Sequence, residues 1–493
     1  MTPVAAERAR ERGRWRAHRL FIVVLLAGAA LRVVVSLAYY PALLLQRDAY
    51  TYLRLALDPD VGPARYRPSL YPAVFLDPLL ATGELAAVPI AQHLLGLALA
   101  VGLYLLMVRA EVPPWMAALG TVPVLLDGYQ VALEHYVLTE TFFVATVVVA
   151  LGLLTWPPRP TTASVAAAGL LVGLAALTRF VGAAVLVPVL LFLWWRRLGW
   201  GRAAAAVAGF AAPLLLYSVW FYGAHETFAV TDRNGLFLYG RVASFADCAR
   251  FDPPERLREL CFDVPPDERG PNLGVWTLEG TGRLARAPDG NARALEFSRM
   301  AIAGQPADYA RVVLADLVRY FEPASPPSQE PFAARWRFPV TIADADPHPY
   351  VAARRGSAPP SFGFDAFRID VTLARALRAY QTVAFTWGPL LGLFLALGIG
   401  GGLFGGANAA RARAAAVLFS LAVLALLVAP VMTAVYHFRY VIPALALAPV
   451  AAALGTTALS ARARRPSVGG EGIPGMPDAP ATPDYDAPAP AQR

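Results

Sequence analysis

The sequence predicts an all-α polytopic membrane protein of about ten transmembrane helices, with a mixed extracytoplasmic insert between the seventh and eighth spans. Three observations carry this. Of 493 residues, 57% are hydrophobic and only 16% charged, and mean hydropathy is +0.48. A soluble chain of this length has no use for so much apolar surface, whereas an integral membrane protein does. The apolar residues come in runs near the roughly 20-residue length that crosses a bilayer. The arginines then fall on one side of those runs.

The candidate spans are 20–40, 84–108, 114–126, 136–156, 163–178, 181–195, 203–222, 382–404, 414–433 and 440–459. The first follows the block "ERARERGRWRAHR". No small-residue cleavage site follows it, so it reads as a retained helix with a cytoplasmic N-terminus and not as a signal peptide. All 43 basic residues are arginine. With the N-terminus inside, the cytoplasmic connections receive Arg109, Arg159, Arg196, Arg197, Arg202, Arg411 and Arg413, and the C-terminal side receives Arg462, Arg464 and Arg465. That is the positive-inside bias of a plasma-membrane protein. The formal charge of +8 is therefore largely a topology signal, and no nucleic-acid partner is expected.

This divides the chain into an Arg-rich cytoplasmic N-terminus (1–19) and a transmembrane module (20–222) with an external loop at 41–83. An extracytoplasmic domain (223–380), C-terminal transmembrane helices (381–460) and a Pro/Gly/Ala-rich, disordered cytoplasmic tail (461–493) follow. Within the insert, "ADYARVVLADLVRYF" (307–321) has helical periodicity, with Tyr309, Val312, Val313, Leu317 and Tyr320 at three- and four-residue steps. "PASPPSQEP" and "GSAPPSFG" read as loops. Both cysteines, Cys248 and Cys261, lie in the insert. Outside the cytoplasm they can pair as a disulfide, and two unpaired thiols is the other reading.

Ionisable groups at membrane depth are expensive, so each needs a reason. Asp48 opens "DAYTYLRLAL" and would share a helical face with Thr51, Tyr52 and Leu55. At a water boundary an Asp reads first as a helix cap. Beside apolar walls a carboxylate also gains proton affinity and can act as a general base. The loop "ARYRPSLYP" packs Arg65, Tyr66, Arg67 and Tyr71 between prolines. It is either a grip for a phosphate or carboxylate or a rigid headgroup-level loop. In "EHYVLTETFFV", Glu140 is expected about two turns into the fourth span, as a substrate-facing carboxylate or a buried partner for an arginine. Arg32 in the first span, Arg179 in "GLAALTRFVG" and Arg439 in "YHFRYVIP" converge on the same outer face and point to an anion site. Any one of them alone also reads as an arginine snorkelling to headgroups. His135 and His437 lie near the same face. No GxxxxGK[ST] or HExxH occurs, and the six histidines are scattered, so no metal-ligand set is assigned and a divalent metal is left open.

The order of these motifs resembles the GT-C fold glycosyltransferases, in particular the branch related to protein O-mannosyltransferases and aminoarabinose lipid A transferases. The resemblance covers most of 20–222 and returns at 382–459. It implies a polyprenyl-phosphate-linked sugar donor and chemistry on the non-cytoplasmic face. By the same resemblance Asp48 is the first-loop acid that deprotonates the acceptor hydroxyl, and Glu140 is the acid of the "TE" helix. Arg67, Pro68, Tyr71 and Pro72 match the second-loop motif. Arg179 and Arg439 match arginines that hold the lipid phosphate. Arg32 is grouped with those two as a phosphate ligand, and Tyr52 and His135 with Arg67 and Tyr71 on the substrate side. Two departures stand out: Ala49 follows Asp48 where a Glu is common, and "RPSLYP" has no acid until Asp77. A two-carboxylate, metal-bridged mechanism thereby lacks its second acid. The insert has no counterpart in the resemblance.

The expectation is a membrane glycosyltransferase that moves a sugar from a polyprenyl-phosphate donor to an extracytoplasmic protein, lipid or cell-wall glycan. A lipid-linked sugar transporter or flippase is the alternative, though ionisable groups on one face and the lack of two visible halves fit it less well. A non-catalytic scaffold is the third class.

Overall fold

The computed structural model describes residues 3–44, 46–58, 62–269, 284–324, 336–341 and 367–463. It is built of helices, with a single two-stranded pairing among the described residues, Tyr39–Tyr40 against Arg368–Ile369. The loop "GSAPPSFG", most of "PASPPSQEP" and the tail from 464 onward lie outside the described residues.

Five helices are long and apolar enough to cross a membrane: Ala17–Ala38, Ala87–Arg109, Trp200–His225, Ala407–Thr433 and Phe438–Ala463. A sixth candidate is the pair Val371–Val383 and Gly388–Phe404, bent by 53°. The chain is thus a multi-pass membrane protein, and the remaining expected spans take shorter forms. Segment 114–126 is two helices, Pro114–Gly120 and Val122–Leu126. Pro123 cannot donate back to the preceding turn, so one helix ends where the next begins. Segment 181–195 opens as a tight 3-10 turn, Phe180–Val185, before the α-helix Leu186–Trp195. Segment 136–156 becomes helical only at Glu140 and runs to Thr155. At 1.5 Å per residue its 16 residues reach about 24 Å, short of a hydrocarbon core of roughly 30 Å.

Close packing of small residues brings two of the long helices together. Helix Gly388–Phe404 meets the helix Ile442–Ala463 through Gly401 and Gly455, where an added Cβ on Gly401 would come within 2.1 Å of the Gly455 Cα. Small residues at a crossing let two backbones approach, which is how apolar helices associate in lipid. One core runs from Val35 and Tyr39 through Leu103, Val147 and Phe192 to Phe419 and Leu447.

Described residues of 236–269 and 284–301 gather round a second, smaller core of Leu236, Tyr239, Val242, Phe245, Leu257 and Phe297. Cys248 and Cys261 are joined there as a disulfide with Cα atoms 6.0 Å apart. The helix expected at 307–321 is present as Pro306–Arg319. Tyr309 and Val312 pack on the smaller core, and Val313 and Leu317 on the larger, so this helix joins the two.

Candidate active site

Five distant segments meet at one cluster of charges. The first is the helix Gln46–Leu57, which carries Asp48 in its first turn and buries Ala49, Tyr52 and Leu53. Asp48 and Tyr52 are four residues apart and so lie on one face. The second is the irregular stretch 62–69, which presents Arg67 and then enters a π-helix, Tyr71–Leu76. That single wide turn buries Tyr71, whose ring lies edge-on to Tyr52 at 5.5 Å.

Glu140 comes from the third segment, at the first residue of its helix and not two turns inside. The cause is a backbone bridge. Leu43 N donates to His135 O at 3.1 Å and Val137 N donates to Leu43 O at 3.2 Å. Residues 136–139 are held out of the helix by that pairing, and Glu140 is the first free to coil. The same bridge ties the segment ahead of Asp48 to the segment leading to Glu140.

The two main cations come from breaks between helices. Helix Thr162–Thr178 stops because Arg179 turns extended, with φ −147° and ψ 127°. Its guanidinium reaches Glu140 Oε1 at 2.6 Å and Thr139 Oγ1 at 3.1 Å. Arg439 lies in the 3-10 turn Phe438–Val441, whose start is capped by the His437 ring, with Arg439 N donating to His437 Nδ1 at 3.2 Å.

Arg439 is the hub. Its Nη1 donates to Asp48 Oδ2 at 2.9 Å while its Nε bonds Glu140 Oε1. Arg67 Nη2 takes the other Asp48 oxygen at 2.5 Å. Aromatic rings cover the guanidiniums: Trp336 lies 5.3 Å from Arg439, Tyr440 5.6 Å from Arg179 and Tyr52 6.0 Å from Arg67. These stacks disperse charge without satisfying it.

Three guanidiniums therefore face two carboxylates. One positive charge is in excess, in a cluster where the Glu140 side chain is 1% exposed and the Arg179 and Arg439 side chains 10%. Glu140 Oε2 is buried with no hydrogen-bond partner among the described residues, although buried polar atoms are almost always paired. The cluster is short of one negative charge, and Glu140 Oε2 is short of one hydrogen-bond donor.

Asp48 departs from expectation. Burial raises its pKa, but Arg67 and Arg439 outweigh burial and hold it at about 2. Apolar walls are not its dominant neighbours, so in this state it is ionised and a weak base.

Two expected members sit elsewhere. All five donors of Arg32 are taken: Nε and Nη2 by the Glu134 carboxylate at 2.8 and 2.7 Å, and the rest by the carbonyls of Gly28, Leu125 and Val124 at 3.0 Å. It has nothing left for a phosphate. His135 is 1% exposed, with Nδ1 against His93 Nε2 and Nε2 against Tyr39 O, both at 3.0 Å. Burial and the neighbouring His93 push its pKa down to about 3, so the ring is neutral. Tyr71 is buried and donates to Gln92 Oε1 at 2.8 Å, which makes it a brace for the loop. Sequence reasoning passed over Gln92, His93, Trp336 and Tyr440. The adjacent polar pair Gln92-His93 inside an apolar span was the available signal.

Residues 82–227 match a family model described as dolichyl-phosphate-mannose-protein mannosyltransferase. No curated protein matches the chain, and no solved structure does. The matched stretch contains Glu140 and Arg179 and leaves Asp48, Arg67 and Arg439 outside. With five to six apolar helices of membrane-spanning length, the match supports a membrane glycosyltransferase: the chain is a multi-pass membrane protein whose residues 82–227 are similar to the dolichyl-phosphate-mannose-protein mannosyltransferases.

Proposed function

We propose that the chain transfers a sugar from a polyprenyl-phosphate donor to a hydroxyl acceptor on the extracytoplasmic side of the membrane. The observation that carries this is the single surplus cation in the Asp48–Arg67–Arg439–Glu140–Arg179 cluster. A polyprenyl-phosphate sugar is a phosphodiester with one negative charge, which matches that surplus.

In this reading the donor phosphate seats on Arg179 and Arg439 and draws Arg439 away from Asp48. With one cation withdrawn, the effect of burial on Asp48 is opposed by Arg67 and, more weakly, by Arg179, and its basicity rises. The acceptor oxygen attacks the anomeric carbon while its proton passes to Asp48. The bond between that carbon and the phosphate oxygen breaks, and its electron pair leaves with the phosphate. The leaving group gains a negative charge where two guanidiniums already point, which stabilises the transition state more than the ground state. Glu140 Oε2 accepts a hydroxyl of the sugar.

The test uses purified protein in lipid nanodiscs with radiolabelled polyprenyl-phosphate mannose, glucose and arabinose and a panel of hydroxyl acceptors. Transfer by the wild type and its loss in a folded Asp48→Asn variant are expected. Full turnover by Asp48→Asn would overturn the base assignment. Sugar crossing liposomes with no transfer would favour a flippase.

A further inference from the structure

Behind the charge cluster lies a second polar chain that the transfer reading does not use. Glu134 is 0% exposed, and its carboxylate is bound bidentately by Arg32 and also receives Gln130 Nε2 at 3.2 Å. Its Oε2 faces His93 Nδ1 at 3.0 Å. His93 Nε2 faces His135 Nδ1, and His135 Nε2 faces the carbonyl of Tyr39.

Each contact in this chain needs one hydrogen. Tyr39 O can only accept, so His135 Nε2 carries a hydrogen. His135 Nδ1 must then accept when that ring is neutral, so His93 Nε2 carries a hydrogen. The last contact joins His93 Nδ1 to Glu134, and it needs a third hydrogen. Two neutral imidazoles supply only two. The carboxylate, bound by a bidentate arginine and an amide, is held in its ionised form. The third hydrogen therefore makes His93 an imidazolium. Arg32 from the first helix, Glu134 and His135 from the helix Gly128–His135, and no further charged group in these hydrogen bonds, face it.

The chain also has a definite place. Gln92, next to His93 and 0% exposed, donates to the carbonyls of Glu134 and Tyr136 at 2.8 Å each and accepts from Tyr71. Tyr136 is in the bridge to Leu43. The network therefore fastens the segment that ends at Glu140, the segment ahead of Asp48 and the loop that presents Arg67. Gly96, one turn along the same helix, admits it: a Cβ there would lie 2.4 Å from Glu134 Oε1.

We propose that the Glu134–His93–His135 chain stores one proton and acts as a positioning network that sets Glu140 against Asp48 for transfer. Loss of that proton leaves His93 Nδ1 and Glu134 Oε2 as two acceptors facing each other, and the bridge relaxes. The positioning half rests on the transferase reading; the stored proton does not.

Imidazole nitrogen shifts of ¹⁵N-histidine-labelled protein in bilayers at pH 7 test the proton directly. One imidazolium signal that disappears in His93→Gln is expected. A wild-type spectrum with neutral rings only, or an unchanged spectrum in His93→Gln, overturns the proposal. Should His93→Gln not fold, the double variant Arg32→Met/Glu134→Gln carries the test. Its amide donates to His93 Nδ1, the count closes with neutral rings, and a retained imidazolium overturns the proposal. Transfer assays then read the positioning role. The wild type should lose kcat about 10-fold on an alkaline limb, as expected for one charged hydrogen bond, with donor KM little changed. The double variant should lack the limb, and a limb that persists in it overturns the positioning role. The imidazolium count needs no turnover, so it is judged separately from the transferase reading.

Discussion

Replacing Arg67 by methionine tests the electrostatics of Asp48. Met keeps an apolar body against Tyr52, whose ring lies 6.0 Å from the guanidinium, and removes the charge that sits 2.5 Å from Asp48 Oδ1. Burial raises the Asp48 pKa, and Arg67 and Arg439 together bring it from 3.8 to about 2. A single close cation moves a carboxylate by roughly 1–3 pH units, so Arg67→Met should lift Asp48 to about 3–5. The sign follows. A base works only when ionised, so kcat/KM, which reports the free enzyme, falls below its pKa. The wild type should be flat down to about pH 3, and Arg67→Met should show an acid limb at about pH 3–5. Stability moves the same way. The depressed pKa contributes about 2 kcal/mol that is fully present above pH 3.8 and lost as pH falls through about 2, and the variant loses part of it at neutral pH. Initial transfer rates across pH 3–8 are the assay. Profiles of wild type and Arg67→Met that superimpose down to about pH 3 would refute the reasoning.

Arg179→Ala removes a phosphate ligand and leaves Glu140 with Arg439 alone, so donor affinity should fall at least about 10-fold, one charged hydrogen bond's worth; titration with a non-transferable donor analogue checks it, and unchanged affinity refutes it. Arg32→Ala leaves Glu134 buried without its bidentate partner and should cost about 3–5 kcal/mol of stability, seen as a lower unfolding midpoint in detergent, while residual folded protein keeps its donor affinity; a selective loss of donor binding would return Arg32 to the phosphate site. Cys248→Ser/Cys261→Ser opens a short loop and should remove about 3 kcal/mol from the smaller core. Proteolysis should quicken within 234–304, and equal protection of wild type and variant would refute the disulfide's role.

The charged site was legible because its parts are anomalies in an apolar background. An acid at 48 and arginines at 179 and 439 need a reason wherever they sit near hydrocarbon, and the arginine bias put them on one face. Helix ends were less legible. Glu140 is expected two turns into a helix because the apolar span reads as starting ahead of it, at Tyr136, and apolarity does not report the Leu43–Tyr136 bridge that delays coiling. Arg32 was misplaced for a related reason. Its position in the first span says that it needs a partner, and only the fold shows that Glu134 and three carbonyls take every donor. The proton affinity of Asp48 was expected to rise because a sequence shows apolar neighbours in order, whereas the cations that dominate it arrive from 19 and 391 residues away.

The pairing of Asp48 with two arginines is at first sight an argument against its acting as a base. Without counter-ions Arg179 and Arg439, each 10% exposed, and the half-buried Arg67 would carry a desolvation cost, and the two carboxylates lower that cost while no donor is bound. The donor phosphate then exchanges with a carboxylate on Arg439, one anion for another. Such an exchange needs little net change in charge, so the site can open to the phosphate without first breaking an uncompensated pair. It also ties basicity to occupancy. Asp48 stays ionised and inert while Arg439 is on it, and becomes able to take a proton only as the phosphate draws Arg439 away. The acid limb of kcat, which reports the donor complex, should therefore lie at higher pH than the limb of kcat/KM. If the two limbs coincide, Arg439 does not leave Asp48 on donor binding, and the base must be sought in another residue.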